Sequence, residues 1–216
     1  THTVDLEERM AHAAAFNDEK VHYVLNSWVG ADGTVYEGYI AAARIAGVIA
    51  ASAANESVTH TVISGATTLN EALTNAQIKK ALKSGCIVLS LSKSRQVWIE
   101  KAINLAANQD AGWKKIRRVK TRYELMNRIE GTVEPMIGTV DNDADGRAAI
   151  IAAAQRVVDA MAGEKKLLPG GTVTEDANNP ATGDSAWFIV AVDDLDSIET
   201  IYLTFRFRFA ADTEAE

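Results

Sequence analysis

The sequence predicts an α+β fold in which long helices pack with a mixed β-sheet. Three observations support this prediction. Strand-like and helix-like segments alternate in the first half, two long helical patterns follow one another in the middle, and two strand-like segments come near the end. The chain has 216 residues, of which 47% are apolar and 24% charged, so it can bury a full core without disulfides or metal.

The first half contains short strand-like runs separated by two helical patterns. The predicted strands are residues 21–29, 57–63 and 86–92, with a hairpin partner at 95–101. An Ala-rich run predicts a helix over residues 36–54, which we expect to be buried, and apolar spacing predicts a second helix over residues 68–84. Asn70 or Thr74 can cap the second helix, and Gly85 can end it.

The second half carries longer patterns. Apolar residues recur every three or four positions over residues 112–133, which predicts the longest helix, ended by Pro135. Another helix is predicted over residues 146–162 and is closed by Gly163. The last predicted strands are residues 186–192 and 197–209.

The domain organisation follows from these segments. We expect a single domain at residues 21–209, preceded by a flexible or linker segment at 1–20 and followed by a disordered acidic tail at 210–216. Because the chain does not begin with methionine, we expect it to be a piece of something longer.

Charge and cysteine content narrow the function classes. The formal net charge is −7, which argues against nucleic acid as the main partner because phosphate binding needs a basic field. Cys86 is the single cysteine, so an internal disulfide is impossible, and its apolar surroundings predict a buried thiol. The apolar run at residues 40–54 is interrupted by Arg44 and is shorter than the ~20 residues of a membrane span.

Motifs for catalysis are missing from the sequence. It contains no nucleophile elbow, phosphate-binding loop, dinucleotide fingerprint or zinc-protease motif. We therefore predict a protein that is not an enzyme and that needs no cofactor or metal.

The stretch DNDADG, residues 141–146, resembles the first half of a calcium-binding loop. Asp141, Asp143 and Asp145 alternate and are followed by Gly146, but Ala152 occupies the position where a bidentate Glu should complete the ligand set. We therefore expect Asp143 and Asp145 to cap the following helix, where carboxylates can accept free N–H groups. A calcium-binding module remains an alternative.

A basic stretch, WKKIRRVKTRY, lies at the start of the longest predicted helix. Six cations occur within nine residues: Lys114, Lys115, Arg117, Arg118, Lys120 and Arg122. Because an apolar stripe buries one face of this helix, we expect the charges to point outward and to form a basic interaction face for an acidic protein partner. A plain solvated face and a nucleic-acid-binding module are the alternatives.

The last predicted strand alternates regularly. Ile201, Leu203, Phe205, Phe207 and Phe209 fall on one face, and Tyr202, Thr204, Arg206 and Arg208 fall on the other. A long strand at a chain end can add to the sheet of another subunit. We predict an inter-subunit strand formed by Tyr202, Leu203, Phe205, Arg206, Phe207 and Arg208, with an ordinary strand of its own domain as the alternative.

Four stretches resemble the C-terminal half of contractile tail sheath proteins of phages and prophages of Gram-positive bacteria. They are the segment that begins DGTVYEGYIAAAR at Asp32, LTNAQIKKALKSGCIVL from Leu73, the helix pair joined by IGTVDNDADGRAAI, and VAVDDLDSIETIYLTFRF from Val190. The last two are the most specific. Together the four stretches span nearly all of residues 21–209 in the order of the family.

The resemblance implies a structural subunit of a contractile phage or prophage tail sheath. Such a subunit polymerises around the tail tube and contracts to drive it through the host envelope. The implied partners are other sheath subunits, the tube protein and the baseplate, with no nucleic acid and no direct membrane contact. The implied location is the virion tail, after synthesis in the host bacterial cytoplasm. Family members carry a further N-terminal region of roughly equal length, so the resemblance implies that these 216 residues are the C-terminal half of a longer protein.

Overall fold

The computed structural model describes residues 5–106 and 112–207. The helices are α1 (Leu6–Phe16), α2 (Gly38–Ala51), α3 (Asn75–Lys83), α4 (Ile116–Val133) and α5 (Ala144–Gly163), with a 3-10 turn at Glu134–Met136. The strands are β1 (Trp28–Gly30), β2 (Val35–Tyr36), β3 (Ala66–Leu69), β4 (Leu89–Leu91), β5 (Val97–Ile99), β6 (Thr172–Glu175) and β7 (Phe188–Ala191). The predicted α+β class is confirmed.

The strands form three small sheets instead of one mixed sheet. The sheets are β2–β1–β3, the hairpin β4–β5 and the pair β6–β7, and each pairing is antiparallel. The one parallel contact in the described residues is an isolated bridge between Val24 and Ile87. The prediction of a mixed sheet is therefore wrong, because the short strands pair mainly with near neighbours in the sequence.

The segment before α3 departs from the prediction. Residues 57–63 form turns with a single bridge from Val62 to Trp98, and the strand is β3, whose last two residues overlap the start of the region expected to be helical. Helix α3 starts at Asn75 instead of residue 68, because Thr74 accepts from the Gln77 amide while the Gln77 side chain accepts from the Thr74 amide. It ends before Gly85, whose φ of +83° favours glycine.

Three apolar clusters hold the fold together. One joins α2 to the β4–β5 hairpin, one joins α1 to α3, and one joins α4, α5 and β6. Cys86 is fully buried in the second cluster, and burial raises the pKa of its thiol to about 11. The predicted buried thiol is confirmed.

Two expectations, one about the flexibility of residues 1–20 and one about the burial of α2, are wrong. Residues 1–20 were expected to be a flexible or linker segment, but α1 lies within them and buries Met10 and Ala13, because its apolar residues share one face. Helix α2 was expected to be buried, but only Ala41, Ile45 and Ile49 are, and Tyr39 is 83% exposed. The other positions of α2 are mostly small and face away from the core.

Gly146 gives a test of how α5 begins. A Cβ on Gly146 would lie 2.0 Å from the carbonyl oxygen of Asp141, so the chain before α5 would have to move. We expect Gly146→Ala to lower the free energy of unfolding by about 2 kcal/mol, measured by urea titration. The control is Gly163→Ala, at a position with open space, which should raise stability by about 0.5–1 kcal/mol. Equal effects of the two substitutions would contradict the close approach at Gly146.

Candidate assembly interface

The basic residues at the start of α4 do not point outward. Arg117 is 3% exposed, and the other five cations are half-buried. Arg122 lies over the Trp113 ring, with 4.0 Å between the guanidinium carbon and the ring centroid. The predicted outward-facing interaction face is therefore wrong in its geometry. The side chains of these cations point towards the protein, because two parts of the same chain supply acceptors for them.

The first set of acceptors is the C-terminal end of α2 and the residues that follow it. The contacts are Lys120 Nζ to the Ile49 and Ser52 carbonyl oxygens (2.6 and 2.7 Å), Thr121 Oγ1 to Ala54 O (2.9 Å) and Arg117 Nε to Asn55 O (2.9 Å). The last carbonyl groups of a helix lack partners within the helix, and a positive charge is favourable there. Helix α4 thus supplies the donors that the end of α2 needs.

The second set of acceptors is an acidic segment, residues 193–199, which we call the acidic strap. Its backbone lies beside the residues that follow α5: the Leu168 amide donates to Asp193 O at 2.8 Å, and the Leu195 amide donates to Lys166 O at 3.3 Å. This pairing places the strap across the N-terminal end of α4.

Side chains of the strap bind the cations of α4. Asp194 accepts two hydrogen bonds from the Arg118 guanidinium. Asp196 accepts from Lys115 Nζ at 2.6 Å and lies 3.7 Å from Arg117 Nη1. Glu199 Oε1 accepts from the Ser57 hydroxyl at 2.8 Å, and its other oxygen lies 3.6 Å from Lys115 Nζ. Acidic groups that pair with the basic stretch are therefore supplied by the chain itself.

Burial and charge act on these groups in opposite directions. Burial tends to raise the pKa of Asp194, but the hydrogen bonds and charge of Arg118 outweigh it and lower the pKa below the usual value. Burial lowers the pKa of Arg117, and the nearby Asp196 partly opposes that effect. Both groups stay charged at neutral pH, since an Asp pKa is lowered and Arg is protonated throughout this range.

A second ion-pair network joins α4 to the end of α5. Arg128 and Lys166 both bind Glu124 and Glu164. The hydrogen bond from Arg128, and after it the one from Lys166, lowers the pKa of Glu164 from the ordinary 4.5 to about 2. A carboxyl with a lowered folded-state pKa stabilises the fold above its unfolded pKa, and this stabilisation is lost as pH falls through the folded value.

The pH dependence of Glu164 can be measured with Glu164→Gln. Because the Glu164 side chain is 41% exposed and solvent screens the pairs, we expect the variant to lose less than about 1 kcal/mol of stability at neutral pH. The difference from the unchanged protein should shrink as pH falls from about 4.5 towards 2, in urea titrations at several pH values. A difference that stays constant over this range would contradict the assignment.

Residues 200–207, which we call the C-terminal arm, follow the strap and belong to no strand. Tyr202 is 91% exposed, Leu203 71%, Phe205 73% and Phe207 84%. Within the described part of the expected strand, residues 197–207, no strand is formed, because the described residues offer the arm no paired neighbour. Arg206 lies in the arm, whereas Arg208 and Phe209 fall outside the described residues. Large apolar side chains are thus exposed along the arm.

The DNDADG stretch initiates α5. Asp143 is the N-cap residue, and its Oδ1 accepts from the Gly146 amide at 2.8 Å. Asp145 lies in the first turn, where its charge favours the helix dipole. Within residues 5–106 and 112–207, no three His, Cys, Asp or Glu side chains are grouped so that they could hold a metal ion.

The comparisons with known proteins find tail sheath proteins. Residues 2–105 match the family model described as phage tail sheath protein central domain. The structure is similar to the sheath tail protein of Desulfitobacterium hafniense, with a TM-score of 0.69 and 22% identity over 84% of this chain. The chain has the fold of a tail sheath protein. No curated protein matches the chain.

Two further solved structures extend the likeness to the sheath fold. The sheath tail protein of Listeria innocua has a TM-score of 0.65 and 17% identity, over 82% of this chain and 47% of that protein. The helical sheath of the anti-feeding prophage in its contracted state has a TM-score of 0.66 and 15% identity, over 84% of this chain and 54% of that protein. This chain spans about half the length of the sheath proteins it matches, including 47% of the Desulfitobacterium protein.

No helix in the described ranges combines the length and apolar character that a membrane crossing requires.

The acidic strap is a structural element that the sequence patterns did not predict. Its signal was present, since four acidic residues occur in the seven residues 193–199 and can balance the cations of α4.

Proposed function

We propose that this chain is part of a structural subunit of a contractile tail sheath. In this role it polymerises with copies of itself around a tail tube, is joined to a baseplate, and contracts to drive the tube through a host envelope. Its place of action is the tail of a phage or phage-like particle, assembled after synthesis in a bacterial cytoplasm. The work is done by repacking of interfaces between subunits, and no catalytic step is involved.

The observation that carries this proposal is an uncovered C-terminal arm on a sheath fold. Burying the side chain of a residue such as Phe or Leu contributes about 1.5–3 kcal/mol, so exposed apolar residues in a row are costly to leave in water. Ile201, Leu203, Phe205 and Phe207 are each more than 70% exposed. A neighbouring subunit that accepts the arm as an added strand would cover this surface and pair its backbone.

The internal pairing of the basic cations also favours this function over nucleic-acid binding. Arg117, Arg118 and Lys115 are engaged by the strap, so they are not offered to a phosphate backbone. Asp143 is engaged as a helix cap, so the acidic residues of the DNDADG stretch are explained by helix initiation instead of calcium binding. The assembly role uses the part of the surface that the chain itself leaves uncovered.

The test is whether the sheath subunit that contains this chain assembles by itself. Negative-stain electron microscopy and sedimentation of the purified subunit should reveal rings or tubes, and assembly should rise steeply with concentration. A subunit that stays monomeric at concentrations of roughly 100 μM, in the range where μM-strength contacts are saturated, would contradict the proposal.

A further inference from the structure

The acidic strap is attached by charge and backbone pairing instead of apolar burial. None of its residues belongs to the buried core of the described chain, and Ile198 is 84% exposed. Its attachments are the carboxylates of Asp194, Asp196 and Glu199 and the short ladder beside Lys166. An element held in this way is sensitive to ionic strength and to loss of charge, which apolar contacts are not.

The contact between strap and α4 is also incompletely satisfied. Arg117 Nη1, Ser197 Oγ and Glu199 Oε2 are buried without a hydrogen-bond partner in the described residues. A buried polar atom that lacks a hydrogen bond costs about 1–3 kcal/mol. The net stabilisation of the docked strap is therefore smaller than its ion pairs alone suggest. Such a contact separates more readily than the apolar clusters that hold the helices.

The state of the strap, docked or undocked, determines the residue at which the chain leaves the folded core. When it is docked, Glu199 is held by Ser57 and Thr59, and the uncovered segment starts at residue 200. When it is undocked, the segment starts after β7 and gains the seven residues 193–199. At about 3.3 Å per extended residue, release adds about 23 Å to the reach of the arm.

We propose that the acidic strap is an ionic latch that sets the reach of the C-terminal arm. It holds the root of the arm on α4 and detaches as a unit when its carboxylates are neutralised, so that the arm pivots near β7 instead of at residue 200. The latch is a property of the single chain, and its consequence for assembly rests on the proposed function.

The test is hydrogen exchange of the unassembled 216-residue chain, followed by mass spectrometry or NMR. The variant Asp194→Asn/Asp196→Asn/Glu199→Gln keeps the side-chain shapes but removes the charges. We expect exchange at the Leu168 and Leu195 amides, which pair strap and core, to accelerate about tenfold or more, while amides within α4 and α5 keep their protection. The matched control is Glu175→Gln, which removes the exposed pair with Arg147 and should leave both amides unchanged.

A salt series on the unchanged protein supports the variant and does not depend on how the variant folds. Raising the salt to about 1 M, where the Debye length is ~3 Å, should accelerate exchange at the same two amides, by less than the variant because Asp194 and Glu199 are mostly buried. Strap exchange that is unaffected by both salt and neutralisation would overturn the latch. If exchange responds as expected but the subunit does not assemble, the latch stands and the proposed function fails.

Discussion

For the proposed sheath subunit, a truncation that removes residues 200–216 is expected to fold normally but to form no tubes. The removed segment includes the whole C-terminal arm, which contributes nothing to any ladder or apolar cluster in the described chain. Thermal unfolding should therefore change by no more than a few degrees, since removing residues that lie in no ladder or apolar cluster costs little stability. Assembly should fall below detection in electron micrographs and in sedimentation, because the exposed apolar residues of the arm are lost.

The control for this truncation removes only residues 210–216. That deletion takes away the acidic end of the sequence and keeps the apolar arm, so tubes should still form. A substitution variant, Leu203→Asp/Phe205→Asp, keeps the length and should resemble the larger truncation because it places charge in a surface that assembly covers. Normal tubes from either the larger truncation or this variant would show that the arm does not link subunits.

Replacing Arg117 with methionine is expected to lower the free energy of unfolding by about 3 kcal/mol. Methionine keeps most of the buried volume but loses the hydrogen bond to Asn55 O and the charge that faces Asp196. The carbonyl near the end of α2 is then left without its donor. Urea titration gives the free energy, and an unchanged slope of the titration would show that the compactness of both states is preserved.

Lys114→Met is the matched control for Arg117→Met. Lys114 belongs to the same basic stretch, is half-buried, and has its ammonium in no ion pair within the described residues. Its replacement should change stability by no more than about 0.5 kcal/mol. If the basic residues formed an outward face, as their spacing in the sequence predicts, the two substitutions would have equal and small effects.

Local patterns in the sequence were sufficient for the elements that depend on near neighbours. The long helices α4 and α5, the hairpin β4–β5 and the strand β7 lie where periodicity and turn residues predict them. The helices and the hairpin are defined by contacts or caps within a few residues, whereas β7 pairs with the more distant β6. The start of α3 at Thr74 is a further case, because the capping box spans three residues.

Features that depend on distant parts of the chain were not predictable in the same way. Arg118 and Asp194 are 76 positions apart, so helical periodicity reveals which side of α4 is apolar but not what binds its cations. Thr68 and Leu69, expected at the start of a helix, belong to β3 because β1 offers them a ladder. The arm carries a strong strand pattern without a strand, since a strand needs a partner and the described chain provides none.

The same chain thus uses its charged and apolar residues for different purposes. Charges of opposite sign at α4 and the strap are paired internally, where they fix the root of the arm. Apolar residues of the arm are left outside. A subunit that must fold alone and still polymerise needs this division, because the apolar surface of the arm is not buried during folding and remains available for assembly.

Hydrogen exchange of residues 200–207, compared between free subunits and assembled tubes, tests the proposed linkage most directly. Free subunits should exchange these amides at nearly the rate of an unstructured chain, since the arm belongs to no ladder. In tubes, alternate amides of the arm should be slowed by about 100-fold or more, as expected when a strand adds to the sheet of a neighbouring subunit. Equally fast exchange of the arm in tubes and in free subunits would contradict the linkage.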